Sequence, residues 1–353
     1  MQGWAVVETG APLKEVSAPT PEPKGTEVLV EVTHCGVCHS DLYFQDGHYD
    51  LGGGKRLSLA DRGVTLPLVL GHETVGRVVK FGPDAKGVKV GDHRVVYPWI
   101  GCGNCKRCRS GEEQLCLTPG TIGVFRPGGY GSHVIVPRAE HLVDLAGVDP
   151  AVAATYACSG VTAYSAIKKV LPLAPDDPVV IIGGGGLGIA AIKILKALKH
   201  QAIIVVDVDK AKQEIALQAG ATAAVGGKDV DTTAEIIKAA GGPVVGVIDF
   251  VNSSSTAKAG LDALTKGGTL VLVGLYGGDI TISLPMLPLK GQSIRGSYVG
   301  NLQELRELID LARSGDLEPL PVERVPQAKA NEAINRVRKG EVKGRLVLEV
   351  PSF

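Results

Sequence analysis

Apolar and polar positions change rhythm twice along the chain. Up to about residue 150 the apolar residues come in short runs between glycines and prolines, as in EVLVEVTHCG, GRVVKFG, GDHRVVYPWIG and GSHVIVPRAEHLVDL. Runs of this kind, bounded by turn formers, predict short strands. The first part therefore reads as a barrel-like or sandwich β domain. GVDPAVAATYACSGVTAYSAIKKV then spaces its apolar residues as a helix does, and leads into DPVVIIGGGGLGIAAIKILKALKHQAIIVVDVD. That stretch is a buried strand, a glycine turn, a helix and a second strand, which together make a βαβ unit. The alternation continues through AEIIKAAGGPVVGVIDFV and GLDALTKGGTLVLVGLYGG to about residue 290, predicting a doubly wound parallel sheet. Mixed structure follows, with a helical NLQELRELIDLARSG and a closing strand GRLVLEV. The expected organisation is an α/β chain with a β domain over 1–152, an inserted dinucleotide fold over 153–291, and a segment 292–353 that rejoins the first domain.

The glycine turn carries the first candidate chemistry. VVIIGGGGLG places Gly183, Gly185 and Gly188 in a G-x-G-x-x-G pattern directly after a strand and directly before a helix, with Gly186 and Leu187 between. In that context the first glycine permits the turn, the second lets backbone approach a pyrophosphate, and the third packs helix on strand. The free N–H groups of the helix start then face the anion. The second strand ends in VVDVDK, which sets Asp207 where an acidic side chain accepts from the adenosine ribose hydroxyls. A 2′-phosphate would meet Asp207 and Asp209, so NAD is expected over NADP.

Seven cysteines are the next departure from an ordinary globular pattern. GCGNCKRCRSGEEQLC puts Cys102, Cys105, Cys108 and Cys116 in one loop, at about 98–118, with the spacing of a four-thiolate zinc site. Four thiolates leave no open position, so such a site is structural. A reactive metal would have to draw on HCGVCHSD (Cys35, Cys38, His39), LGHETVG (His72, Glu73) and YACSGVT (Cys158). Two thiolates and one imidazole would leave the fourth position open for chemistry. Spacing alone does not choose among these residues.

Composition narrows the class. The 353 residues suffice for two domains without disulfide staples, so the cysteines are free for metal. The 37 basic and 37 acidic residues cancel, which removes the electrostatic case for nucleic acid or an anionic membrane as partner. A nucleic-acid-binding zinc protein would account for the four-cysteine loop but not for the glycine fingerprint or the neutral charge. MQGWAVVETG has no basic region followed by an apolar run, and no segment is apolar enough to span a bilayer. A cytoplasmic protein with reduced cysteines is expected.

Together these motifs resemble the zinc-dependent medium-chain alcohol dehydrogenase family. GHETVGRVVKFGPDA beside CGVCHSD, the four-cysteine loop and the glycine fingerprint occur in the family's order over essentially the whole chain. The resemblance implies a GroES-like β-barrel domain and a Rossmann domain. It also implies an NAD-linked enzyme, with two zinc ions per chain, that interconverts primary or secondary alcohols and aldehydes or ketones. Position by position, it makes Cys38, His72 and Cys158 the catalytic zinc ligands, Glu73 a nearby carboxylate able to approach the metal, and Asp41 the carboxylate that orients the zinc-bound histidine. Cys35 has no counterpart and reads as a small buried residue. Ser40 corresponds to the hydroxyl that starts the alcohol's proton on its way out. Tyr43 stands where many relatives end that relay with a histidine; tyrosine is a poor base near neutral pH, so an exit through the cofactor ribose and an optimum at higher pH are expected.

For the cofactor, the resemblance places His39 and Arg345 at the pyrophosphate, Lys212 near the adenosine ribose and Thr162 beside the nicotinamide. Trp99 falls at a pocket position and would narrow the space by the metal, favouring slim chains or flat rings. The stretch 48–63 is longer than in short relatives and carries Lys55, Arg56 and Arg62. It resembles a subgroup that includes enzymes for 6-hydroxyhexanoate and for aromatic or cyclic alcohols. Lys55 or Arg56 could meet a substrate carboxylate, or the loop could pack at a subunit contact with its charges in water. A polyol dehydrogenase is the alternative within the superfamily, and Cys158 in place of a glutamate ligand speaks for simple alcohols. A homodimer or homotetramer is implied.

Overall fold

The computed structural model describes residues 1–226 and 230–351. Two sheets dominate it. The first is mostly antiparallel, in the order Leu142–Asp144, His93–Val96, Glu73–Phe81, Val28–Gly36, Arg345–Glu349 and Val322–Pro326, with His133–Val136 also paired to Val28–Gly36. A smaller sheet of Lys14–Ser17, Gln2–Val6 and Leu68–Val69 lies beside it. The closing strand Arg345–Glu349 runs antiparallel to Val28–Gly36, so the chain's end does return to its beginning.

The second sheet is parallel throughout, in the order Ala223–Val225, Ile203–Val206, Val179–Ile182, Val244–Asp249, Leu264–Leu272 and Ser293–Gly296. VVII and IIVV are buried at every position, as strands covered on both faces must be. Its sixth strand lies beyond residue 291, where the sequence pattern closes the unit. The apolar content of SIRG is too low to announce a strand; pairing with Leu264–Leu272 makes it one.

One core joins the two sheets. Val75, Tyr97 and Trp99 of the first pack in the same cluster as Ala151–Ala154, Ile167 and Ile181. The helical stretch at their junction is not continuous. Pro150–Thr155 and Val161–Val170 are separated by one wide turn of π-helix, Tyr156–Gly160. The N–H of Ser159 donates to Glu73 Oε1 at 3.3 Å, and this turn aims Cys158 out of the helix line. Among the described residues no helix is long and apolar enough to cross a membrane.

Candidate active site and metal centres

Three elements bring the first metal set together. Cys38 follows the strand Val28–Gly36, His72 precedes the strand Glu73–Phe81, and Cys158 sits in the π turn. Their ligand atoms all lie within 4.8 Å of one another, and the two sulfurs are 3.9 Å apart. Zn–S bonds of about 2.3 Å at a tetrahedral angle require sulfurs about 3.8 Å apart, so the set fits zinc without rearrangement. Among the described residues neither ring nitrogen of buried His72 has a hydrogen-bond partner, but Nδ1 stands 3.3 Å from Asp41 Oδ1, which leaves Nε2 for a metal. Asp41 is itself fixed: its Oδ2 accepts from the Cys38 N–H at 2.9 Å and the Tyr130 hydroxyl at 3.0 Å. A carboxylate so held sets the tautomer and ring angle of a ligating histidine.

Two expected neighbours of this set are placed differently. Glu73 commits Oε2 to the Arg345 guanidinium at 2.5 Å and Oε1 to Ser159 N–H, so it does not join the metal cluster. Burial pushes its carboxyl up to about 7 against the pull of Arg345. Arg345, expected at the pyrophosphate, gives one guanidinium nitrogen, Nη2, to Glu73 while its stem packs under Gly186; its Nε is buried without a partner among the described residues, and the residue lines the cleft. Cys35 is fully buried between Gly71 and Gly129 and stays outside the metal cluster, as its reading as a packing residue expects.

The four-cysteine loop forms a second cluster, with sulfur separations of 3.4 to 3.9 Å. The N–H groups of Cys102, Cys108 and Thr118 point at its sulfurs, which favours thiolates. Glu113 anchors the loop by accepting from Gly101 N–H, Arg138 and His141, partners that hold its carboxyl at about 2 despite burial. The lobe is more than a staple. Its inner side, including Gln114, Leu115 and Cys116, walls the same cleft as Cys38 and Cys158.

That cleft measures about 830 Å³ and runs from the first metal cluster to the glycine turn. Gly183 has φ +99°, and a Cβ on Gly188 would strike the Gly183 carbonyl, so both glycines answer to geometry rather than to composition. Gly185 starts the helix Gly186–Ala197, which leaves free N–H groups facing the cleft. Asp207 accepts from Gly184 N–H at 2.8 Å and lines the cleft together with Lys212, Leu187, His39 and Thr162. Asp209 instead caps the helix Lys210–Gln218, which leaves Asp207 as the acidic residue expected at the ribose. Thr162 Oγ1 and Ser297 Oγ are buried on the cleft wall without partners among the described residues. Orphaned polar atoms there fit a ligand with donors and acceptors, as a nicotinamide amide has.

Around the metal end the cleft is lined with rings. Trp99 donates its Nε1–H to the Ala157 carbonyl at 3.0 Å and lies 5.4 Å from the His72 ring and 6.0 Å from Tyr298. Phe44 meets His72 at 6.3 Å and Tyr49 at 6.4 Å. Ser40 lines the cleft two residues after Cys38. Tyr43, expected where the relay ends, has its hydroxyl engaged. Its hydroxyl donates to the Leu275 carbonyl at 2.9 Å, and burial raises its pKa. Lys55 and Arg56 are exposed and do not line the cleft, while Arg62 does. Sequence reasoning missed Phe44, Tyr49, Tyr130 and Tyr298. Only Tyr298 had a signal, since it follows the carboxyl end of a parallel strand, where such sheets hold their ligands.

Residues 24–147 match the alcohol dehydrogenase GroES-like domain, and residues 186–314 the zinc-binding dehydrogenase family. The chain is 39% identical over 350 residues to an NAD-dependent alcohol dehydrogenase of Sulfurisphaera tokodaii, covering 99% of both chains. Its fold matches the alcohol dehydrogenase of Aeropyrum pernix with a TM-score of 0.89 at 30% identity, over 99% of this chain and all of that one. It also matches a cobalt- and zinc-bound alcohol dehydrogenase from Pyrobaculum aerophilum at TM-score 0.84 and 27% identity, over 99% of each.

Proposed function

The chain belongs to the zinc-dependent medium-chain alcohol dehydrogenase family, and on that premise we propose that it is an NAD-dependent alcohol dehydrogenase acting on primary or secondary alcohols. The observation that carries this reading is the single cleft that has two thiolates and an imidazole at one end and a glycine-turn nucleotide cradle at the other. In the overall reaction the carbinol carbon loses a hydride to NAD and its hydroxyl loses a proton to solvent. When bound, zinc supplies a Lewis acid that acidifies the alcohol and NAD supplies the hydride acceptor.

The remaining work falls to this chain's own residues. Cys38, His72 and Cys158 hold the first zinc, with Asp41 orienting His72; Cys102, Cys105, Cys108 and Cys116 hold the second. Ser40 takes the alcohol's proton onward. Tyr43 is not its terminus, because its hydroxyl proton is committed to Leu275; the cofactor ribose and water are the exit. Thr162 and Ser297 orient the nicotinamide, Asp207 and Lys212 the adenosine ribose, and His39 and Arg345 the pyrophosphate. Trp99, Phe44 and Tyr298 exclude water and keep the space at the carbinol carbon narrow.

Residues 1–152 with the returning tail supply every metal ligand but Cys158, and 153–291 with Ser293–Gly296 supply Cys158 and carry the cofactor. We further propose a homo-oligomer in the cytoplasm. Ser293–Gly296 is an open edge of the parallel sheet, the segment leading to it exposes Leu284 and Leu289, and none of the seven cysteines is in a disulfide.

The test is NAD reduction on protein whose zinc has been counted. About two zincs per chain with turnover, and a Cys38→Ser protein that keeps one zinc and loses turnover, is the expected result. Two zincs without turnover of any primary, secondary or aromatic alcohol would overturn the activity.

A further inference from the structure

The four-cysteine loop is tied to the chain that leaves the second sheet. Glu112, between Cys108 and Cys116, accepts from the Asn301 side-chain amide at 3.1 Å with Oε1 and from the Gln114 amide at 2.6 Å with Oε2. Asn301 uses its other side-chain atom as well. Its Oδ1 accepts from the Glu304 N–H at 2.8 Å, while the Glu304 carboxylate accepts from the Asn301 N–H at 2.9 Å. This reciprocal cap starts the helix Leu302–Arg313. One side chain thus joins the lobe to a helix start that lies five residues after the last parallel strand, Ser293–Gly296.

The residues between that strand and Asn301 form part of the cleft wall. Ser297, Tyr298 and Val299 all line it, and buried Val299 has φ +41°. A β-branched residue in the left-handed region is strained, and it keeps that conformation only where its surroundings impose it. Here they do so from several sides. The Tyr97 hydroxyl donates to the Gly300 carbonyl at 2.9 Å, in a buried bond, and the Trp99 ring stands 6.0 Å from Tyr298. Gly300 lies so close to Val161 that a Cβ on it would come within 2.6 Å of that side chain. Tyr97 is in turn stacked at 6.1 Å on buried His141, which meets Glu113 of the lobe at 3.3 Å. Asn301 closes the clamp from the lobe side.

We propose that Asn301 is a positioning residue for hydride transfer: through Glu112 it fastens the four-cysteine lobe to the strained turn at Val299, and so holds Ser297 and Tyr298 on the cleft wall. A strained turn released at one end relaxes towards the commoner backbone regions. That relaxation would draw the Ser297 hydroxyl away from the nicotinamide and the Tyr298 ring away from Trp99. The lobe therefore serves the reaction through its hold on this turn, besides closing its own loop. The inference rests on the alcohol dehydrogenase reading of the same cleft.

The experiment compares wild type with Asn301→Asp and with the double variant Asn301→Asp/Glu112→Gln, with zinc counted in each, at a temperature well below the thermal midpoint. Aspartate caps a helix as well as asparagine does, but at position 301 it sets a second carboxylate against Glu112, so the tie is lost and the cap is kept. With Glu112→Gln added, the glutamine amide donates to the carboxylate at 301 while its carbonyl still accepts from Gln114, which restores the bond with its roles exchanged. Asn301→Asp should keep two zincs per chain, weaken NADH binding about fivefold or more by calorimetry, and lower kcat for alcohol by a similar factor. The double variant should recover most of both losses. NADH binding and kcat that stay unchanged in Asn301→Asp while the thermal midpoint falls would overturn the positioning role and leave the alcohol dehydrogenase reading standing. A loss of zinc in Asn301→Asp, or a deficit that the double variant does not recover, would overturn it equally. If Asn301→Asp fails to fold, Glu112→Ala carries the same comparison with the cap untouched. If no alcohol is turned over by wild type, that reading falls and NADH binding decides alone: affinity lost and then regained supports the role of Asn301, and unchanged affinity or no binding in wild type overturns it.

Discussion

Glu73 and Arg345 stand 272 positions apart in the chain and meet beneath the first metal cluster, both buried, with an oxygen and a nitrogen 2.5 Å apart. The pair locks the strand that follows His72 to the chain's closing strand.

Removing the cation from this pair should be costly. In Arg345→Met a buried carboxylate is left beside two thiolates, and breaking a buried pair typically costs about 3–5 kcal/mol. Chemical denaturation should show a loss of that order, and KM for NAD should rise because Arg345 also lines the cofactor end of the cleft. Unchanged unfolding would mean that Glu73 is protonated and needs no partner.

Tyr43→Phe separates packing from proton transfer. The hydroxyl binds Leu275, across the cleft between the two sheets, so its loss should raise KM for NAD by a few-fold, about the worth of one hydrogen bond. The pH dependence of kcat should keep its shape. A shift of its basic limb would instead return Tyr43 to the relay.

Asp207 faces the cleft and braces the turn through Gly184. Asp207→Ala should lower kcat/KM for NAD by about tenfold or more and move the NADP to NAD ratio upward, since the like charge that repels a 2′-phosphate is gone. A ratio that stays constant would reduce Asp207 to a turn residue.

Cys105→Ser tests the lobe. Zinc content should fall by one per chain and the thermal midpoint should drop. Because Gln114 and Leu115 wall the cleft, KM for alcohol should rise as well. A lobe that is only a staple would lose stability and leave KM alone.

Acid should weaken the first sheet through its histidines. Burial, with Arg77 and His34 nearby, holds His93 down at about 4, and burial also lowers His34 and His133. A histidine whose folded pKa is depressed contributes its full stability above the unfolded value near 6.5, and that contribution drains away as pH falls from about 6.5 towards 4, because the unfolded chain takes up the proton first. Thermal midpoints of wild type should decline through this window, and those of His93→Gln should decline less steeply.

Much of this molecule was legible in its sequence wherever the informative residues are neighbours. Period-two runs marked the strands of the first sheet, and VVII and IIVV the middle of the second, because burial on one face or two writes itself locally. The glycine turn and the four-cysteine loop could be read for the same reason, since a turn and a short-spaced ligand set are closed within a few residues. The helical spacing of 147–170 matches Pro150–Thr155 and Val161–Val170 but does not mark the π turn between them, where Ser159 N–H turns to a carboxylate on another strand, because no local pattern encodes that.

Residue order alone established which chemistry the chain possesses: two cysteine sets, a histidine, and a phosphate cradle with an acidic residue at the right remove. How those groups are shared out was settled in three dimensions. Folding gathered Cys38, His72 and Cys158 into one cluster, turned Glu73 to Arg345 and Tyr43 to Leu275, and set Arg62 rather than Lys55 or Arg56 in the cleft. The reason is physical. Side-chain direction and desolvation at a given position depend on strands and turns far away in the chain, and the pairing of a buried charge is settled by whichever partner the packed core brings within reach.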